Sequence, residues 1–341
     1  MAEPLNTPPR LSPVTLFSYP FRIFFLSLAI QAVVIVPLWV GAVTGRLDLP
    51  LAIPALAWHQ HEMVFAWLQA AIAGFLLTAV CVWTGTTRTH GWPLAGLWGV
   101  WLMGRLVITL GESLPEWLVI GVNLLFLPLL MLDAGMRVWR ARQPRQIPIL
   151  LVLLGLWLMQ ATFLISGSGT ALDGALLMAM TLMLIIGGRI TPNFSMGWLR
   201  TRGLSTDGIT IIPWLEKLVL GVMALTFLSV LVLPDPVTGI LALVAGTVAL
   251  VRILLWILHL SLLWIPVALW LLAASRFNAI PETVWVHATG LGAMGGLILG
   301  VISRVVLGHT GRTLVLPGGM VTAFVMIHLG ALIRVVTGAG G

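Results

Sequence analysis

The chain has 341 residues, of which 59% are hydrophobic and only 9% charged, so its charged side chains are too few to cover a water-soluble surface. Its formal net charge of +7 raises the question of nucleic acid, yet the basic residues lie in short connections between apolar runs and form no continuous stripe. The composition excludes a soluble enzyme and a nucleic-acid binder and points to an integral membrane protein.

Apolar runs of the roughly 20 residues needed to cross a bilayer recur from about residue 22 to the C-terminus. Residues 1–341 read as one transmembrane domain with a short N-terminal segment over about 1–21. The first run follows the Pro-rich "MAEPLNTPPRLSPVTLFSYP" and lacks a small-residue cleavage site, which predicts a retained span and not a removable signal peptide. Alternation of polar and apolar residues is absent, so helices are expected and a barrel is not. The fold class is an all-α polytopic helical bundle. Its predicted spans, in chain order, are 22–44, 57–82, 93–110, 116–139, 147–167, 172–190, 213–233, 237–251, 253–274, 282–305 and 316–337.

Lys and Arg cluster at Arg10 and Arg22, at Arg88, at Arg137, Arg140, Arg142 and Arg145, at Arg200, Arg202 and Lys217, and at Arg304 and Arg312. The alternate loops carry Asp48, Glu112 and Glu116, Asp173 and Asp235. The positive-inside rule therefore places the N-terminus in the cytoplasm and the C-terminus outside. Only Arg252 interrupts residues 237–274, which could form one tilted helix; two spans are read there because a single one would put Arg304 and Arg312 on the wrong side. A single cysteine, Cys81, excludes an internal disulfide, and its apolar setting predicts a packing thiol. Gly292, Gly296 and Gly300 recur every fourth residue, a smooth face expected to admit a helix backbone or a flat macrocycle.

Polar groups at membrane depth are expensive, so each is a functional candidate. His59, His61, His259, His287 and His328 fall in predicted spans, His309 lies just beyond one, and only His90 sits in an ordinary loop. The topology puts His59, His61 and His287 at the outer level and His328 near the middle. His259 and His309 lie nearer the cytoplasm, with Arg189, Arg304 and Arg312 around them. Each histidine alone reads equally as hydrogen-bonding glue between helices or as a ligand; six together favour a metal or haem site, because imidazole suits haem iron and copper. On a regular helix His59 shares a face with Glu62 and Met63, while His61 points about 200° away from His59. Glu62 reads as an orienting partner for an imidazole or as a proton acceptor. In "GGRITPNF", residues 187–194, two readings stand: a helix end at which Arg189 snorkels, or an arginine holding an anionic group such as a haem propionate. Arg105 lies deep in a span, too far from Glu112 for a simple i,i+4 pair, and requires a partner on another helix or a cofactor.

"AWHQHEMVF", "AAIAGFLLTAVCVWTG", "GGRITPNF", "LLWILHLSLLW" and "VHATGLGAMGGLILGVISRVVLGHTGR" resemble, in order and spacing, motifs of the NnrS family of bacterial haem- and copper-containing membrane proteins. The resemblance runs from "YPFRIFFLSLA" to "LIRVV". It implies a multi-span helical protein of the inner membrane that binds haem b and copper, associated with denitrification and relief of nitric oxide stress. It carries the ligand role onto His59, His61, His259, His287 and His309 and an arginine role onto Arg189, while His328 belongs to no motif of the family. Arg304 and Arg312 join Arg189 as candidates for the haem propionates. The pattern departs from the family at Cys81, where proline is common, and around Arg252, where a basic loop is shortened. It also departs in the count of about eleven spans where about twelve are implied.

The first functional reading is a haem-copper protein that handles nitric oxide or a nitrosylated species, with electrons supplied by quinol or another donor. The second is a transporter of metal, haem or a small anion, with "GGRITP" and the glycine-rich tenth span as gating elements. A third is a haem sensor or assembly factor without turnover.

Overall fold

A computed structural model of the chain describes residues 13–201, 203, 205, 212–254, 260–309 and 317–339. After a single turn at Pro13–Leu16, each predicted span meets one helix. The helices are α1 Pro20–Val43, α2 Ala55–Thr84, α3 Trp92–Leu110, α4 Glu116–Arg140, α5 Ile147–Ser166 and α6 Gly169–Thr201. They continue with α7 Pro213–Val232, α8 Asp235–Leu254, α9 Leu260–Arg276, α10 Thr283–Gly308 and α11 Gly318–Ala339. Among the described residues nine helices are long and apolar enough to cross a membrane, and two shorter apolar ones, Asp235–Leu250 and Leu260–Arg276, complete the eleven. The chain is thus an all-α, multi-pass membrane protein.

Local chemistry sets several helix ends. Proline opens α1 and α7 and stands in the first two positions of α3, where its missing N–H leaves no intrahelical bond unmade. Gly85 closes α2 at φ 64°, a left-handed conformation that costs glycine nothing. Where the sequence left one helix or two over residues 237–274, the structure has α8 and α9 packed side by side. Gly239 of α8 lies against Phe277, just past the end of α9, and Gly246 against Pro266 and Trp270, so the pair is antiparallel.

The chain divides into two compact units, residues 1–150 and 151–341. In the first, α2 packs between α1 and α4, and α3 packs on α4. In the second, α6 packs on α7, α7 on α8, α8 on α9, and α10 on α9 and α11. Arg276, the last residue of α9, bonds Asp173 in the first turns of α6 and lies 3.6 Å from Asp235 at the head of α8 and 3.3 Å from Glu282 just before α10. These helix ends therefore share one face of the second unit, as alternate crossing requires.

Two features depart from the sequence reading. First, α6 continues through Gly187, Gly188 and Pro192 to Thr201, so "GGRITPNF" is neither a helix end nor a break. Glycine at 187 admits a neighbour: a methyl group there would sit 3.1 Å from Leu262 of α9. Second, the glycine face of α10 accepts side chains, not a helix backbone or a macrocycle. Added methyls would meet Trp264 at Gly292, Ser261 and His328 at Gly296, and Phe324 at Gly300. Cys81 is half-buried and its thiol hydrogen-bonds the Thr78 carbonyl at 3.1 Å, a packing thiol as expected.

At Gly296 the added methyl would lie 2.5 Å from Ser261 Oγ and 2.7 Å from His328 Cε1. Gly296→Ala is expected to destabilise by about 1–3 kcal/mol through overpacking. Gly99→Ala, where nothing lies within 4 Å, serves as the control and loses no stability. Unfolding midpoints in detergent check this, and equal midpoints would show that the α9–α10–α11 contact is looser than described.

Candidate functional site

The opening stretch of α2 holds the most deeply buried polar groups of the first unit. His61 ends an α-helical turn, and Glu62 begins a π-helical segment, Glu62–Ala66, after which the α-helix resumes. Such segments insert one residue into a helix and concentrate at functional sites. His61 and Glu62 are both fully buried, at 0% exposure. The regular-helix count grouped Glu62 with His59, but the structure pairs it with His61, whose Nδ1 lies 3.1 Å from Glu62 Oε1. The π segment changes the angular step at Glu62, which a 100° count does not anticipate. His59 stacks instead on Trp39 of α1, with ring centres 4.4 Å apart and planes 10° from parallel.

Three further helices converge on Glu62. Arg105 Nε of α3 donates to Oε1 at 2.9 Å, and Gln31 Nε2 of α1 donates to Oε2 at 3.0 Å. The same guanidinium reaches Asn123 Oδ1 of α4 at 2.8 Å and the Trp101 carbonyl at 3.3 Å, and Asn123 Nδ2 returns a bond to the Val119 carbonyl at 2.9 Å. The partner that Arg105 required on another helix is therefore Glu62. One of the π segment's own carbonyls is also covered: the Trp101 indole donates to Ala66 at 3.0 Å. Arg105, Asn123 and Gln31 are all buried. The amide oxygen of Gln31 is buried without a partner among the described residues, an unmet acceptor beside the carboxylate. Sequence reasoning named Glu62 and Arg105 but passed over Gln31 and Asn123, although both are polar residues inside predicted spans and carried that signal.

In the second unit His287 again stands immediately before a π segment, Ala288–Gly295. Its Nδ1 bonds the Thr283 carbonyl at 2.7 Å, one turn back on α10. His328 of α11 has a different role. The Trp264 indole donates to its Nδ1 at 3.0 Å, which leaves the ring hydrogen on Nε2 facing Ser261 Oγ at 3.4 Å. Both nitrogens are committed to α9, so His328 ties α11 to α9 as interhelical glue. His309 is the last residue of its helix, Arg189 and Arg304 are half-buried on α6 and α10, and His259 and Arg312 lie outside the described residues. His90 is exposed, its Nδ1 2.9 Å from the Arg88 carbonyl. Among the described residues no three side chains of His, Cys, Asp or Glu gather as a metal ion would require.

Residues 15–340 match the family model described as NnrS protein, which is nearly the whole chain. No curated protein and no solved structure matches it.

The polar cluster makes a direct stability prediction. Removing one partner of a buried ion pair strands the other charge, at about 3–5 kcal/mol. Arg105→Met is therefore expected to lower the unfolding midpoint in detergent sharply, whereas Arg140→Met, at an exposed position, leaves it within error. Equal midpoints for the two variants would show that the Glu62 charge is relieved in some other way.

Proposed function

This chain belongs to the NnrS family, and from that premise we propose that it binds haem b and copper in the bacterial inner membrane and acts in nitric oxide metabolism or relief of nitrosative stress. Nitric oxide is small, neutral and soluble in the bilayer, so an imidazole site among transmembrane helices can meet it without an aqueous channel. The observation that carries the reading is His61, buried at 0% exposure with a carboxylate on its Nδ1.

Two of the candidate imidazoles carry the orienting acceptor that a metal-binding histidine has. His61 and His287 each direct Nδ1 at an oxygen acceptor, and a neutral imidazole held in that way has its lone pair on Nε2, the arrangement seen in metal-binding histidines. His59, His259 and His309 are the further candidate imidazoles for iron and copper. Arg189, Arg304 and Arg312 are the cations for haem propionates. When bound, haem would supply an iron that takes nitric oxide as a ligand, and copper a second redox-active ion. The chain's own part is to exclude water, to hold the imidazoles and to neutralise the propionates. One cysteine cannot form a C-x-x-C-H attachment or a thiolate set for an iron-sulfur cluster, so electrons for any turnover come from quinol or a partner protein. An oxidoreductase and a binding protein without turnover are separated by nitric oxide consumption. The transporter alternative draws nothing from α6, where the glycine pair is helical.

Metal analysis and a reduced-minus-oxidised spectrum of detergent-purified protein test the reading. A haem b signal with copper is expected; absence of both after expression with haem and copper supplied would overturn it. His61→Ala is expected to lower bound haem or copper, while His90→Ala, in a loop, leaves both at the wild-type level. Arg189→Ala is expected to alter the haem spectrum or occupancy and leave copper in place, and an unchanged spectrum and occupancy would remove the propionate role.

A further inference from the structure

Among the described residues every group that reaches the Glu62 carboxylate is a donor. Oε1 takes His61 Nδ1 at 3.1 Å and Arg105 Nε at 2.9 Å, and Oε2 takes Gln31 Nε2 at 3.0 Å. A guanidinium has no acceptor and an amide nitrogen has none either, so among the described residues the proton Glu62 could exchange is the one on His61. Arg105 is in turn fixed along its whole fork: Nε on Glu62, one terminal nitrogen on the Trp101 carbonyl and the other on Asn123 Oδ1. Asn123 is held in that orientation by its bond to Val119, and Gly104 leaves room for it, since a methyl group there would come within 3.0 Å of Asn123 Oδ1.

We propose that Arg105, Gln31 and Asn123 are positioning residues that lock Glu62 as a permanent ionised acceptor, so that His61 is held δ-protonated with its lone pair on Nε2. Glu62 is then an anion behind a ligand and not a carrier of protons. An imidazole backed by a fixed carboxylate is a stronger donor to a metal. As a ligand of iron, the reading on which this last step rests, His61 stabilises the oxidised state and lowers the midpoint potential. The network reaches α1, α3 and α4 from α2, so the donor strength of one histidine is set by the packing of four helices.

The test separates this role from that of an ion pair that only holds helices together. In Glu62→Met with Arg105→Met no charge is left unpaired, so the double variant is expected to fold with an unfolding midpoint well above that of Arg105→Met alone. Protein labelled with 15N-histidine and purified without haem is then examined by 15N NMR, with the His61 resonances identified as those lost in His61→Gln. Wild-type protein is expected to show one protonated Nδ1 and one unprotonated Nε2. The double variant is expected to show a mixture of tautomers and, loaded with haem, a higher midpoint potential. A single δ-protonated species in the double variant would overturn the proposal. If the double variant does not accumulate, Glu62→Gln is read in the same spectrum, and an Nδ1 resonance unchanged from wild type is the overturning result. Wild-type protein that binds neither haem nor copper would defeat the functional reading, and the imidazole spectrum would still decide the positioning role.

Discussion

The arrangement of the first unit depends on one constraint: a carboxylate with no access to water must be met by positive charge and by donors. Glu62 at 0% exposure meets that requirement only when α1 brings Gln31, α3 brings Arg105 and α4 brings Asn123 to the same level. Arg105 lies five residues before the end of α3, and Glu62 and Asn123 each lie seven after the start of their helices. At 1.5 Å per residue the network sits roughly 8–10 Å inside one face of the unit. Apolar packing alone would tolerate small slips of one helix along another; this hydrogen-bond set does not. The ion pair therefore acts as a register device as well as a neutralised charge.

The second constraint is backbone. Two helices, α2 and α10, each change from α to π geometry directly after a histidine. A π segment weakens the local ladder, and in α2 its carbonyls are taken up by the Trp101 indole and approached by Gln31 at 3.5 Å. The same side chains that satisfy Glu62 or flank Arg105 thus also stabilise the irregular backbone that turns Glu62 toward His61. In α10 the corresponding segment is rich in glycine, and Trp264 packs against Gly292 and Ile327 against Gly295.

Much of the fold was legible because a bilayer imposes a length. Each apolar run became a helix, most with ends close to those expected and α6 running eleven residues further, and the need of Arg105 for an interhelical partner was readable from its depth alone. What was not legible depends on tertiary contact. The glycine pair at 187 and 188 looks like a helix break in isolation, yet Leu262 packs against Gly187 and α6 runs on. The pairing of Glu62 with His61 and not with His59 follows from a π segment that has no local sequence signature. His328 looked like any other intramembrane histidine, and only the position of Trp264 on a neighbouring helix makes it glue.

The two units handle polarity in different ways, and the contrast bears on function. In the second unit the described ion pairs gather at helix ends, around Arg276, and the histidine that joins α9 to α11 does so through neutral hydrogen bonds. The first unit also has an end-of-helix pair, Arg137 with Asp133, but it buries a second, complete ion pair as well. Buried ion pairs are seldom worth more than apolar side chains of the same volume, so helix packing alone does not account for Glu62 and Arg105. A carboxylate in contact with an imidazole changes that imidazole's behaviour in a way a neutral partner does not, and it needs a counter-ion to remain ionised away from water. The proposed role of His61 as a ligand gives both charges a purpose that helix packing does not.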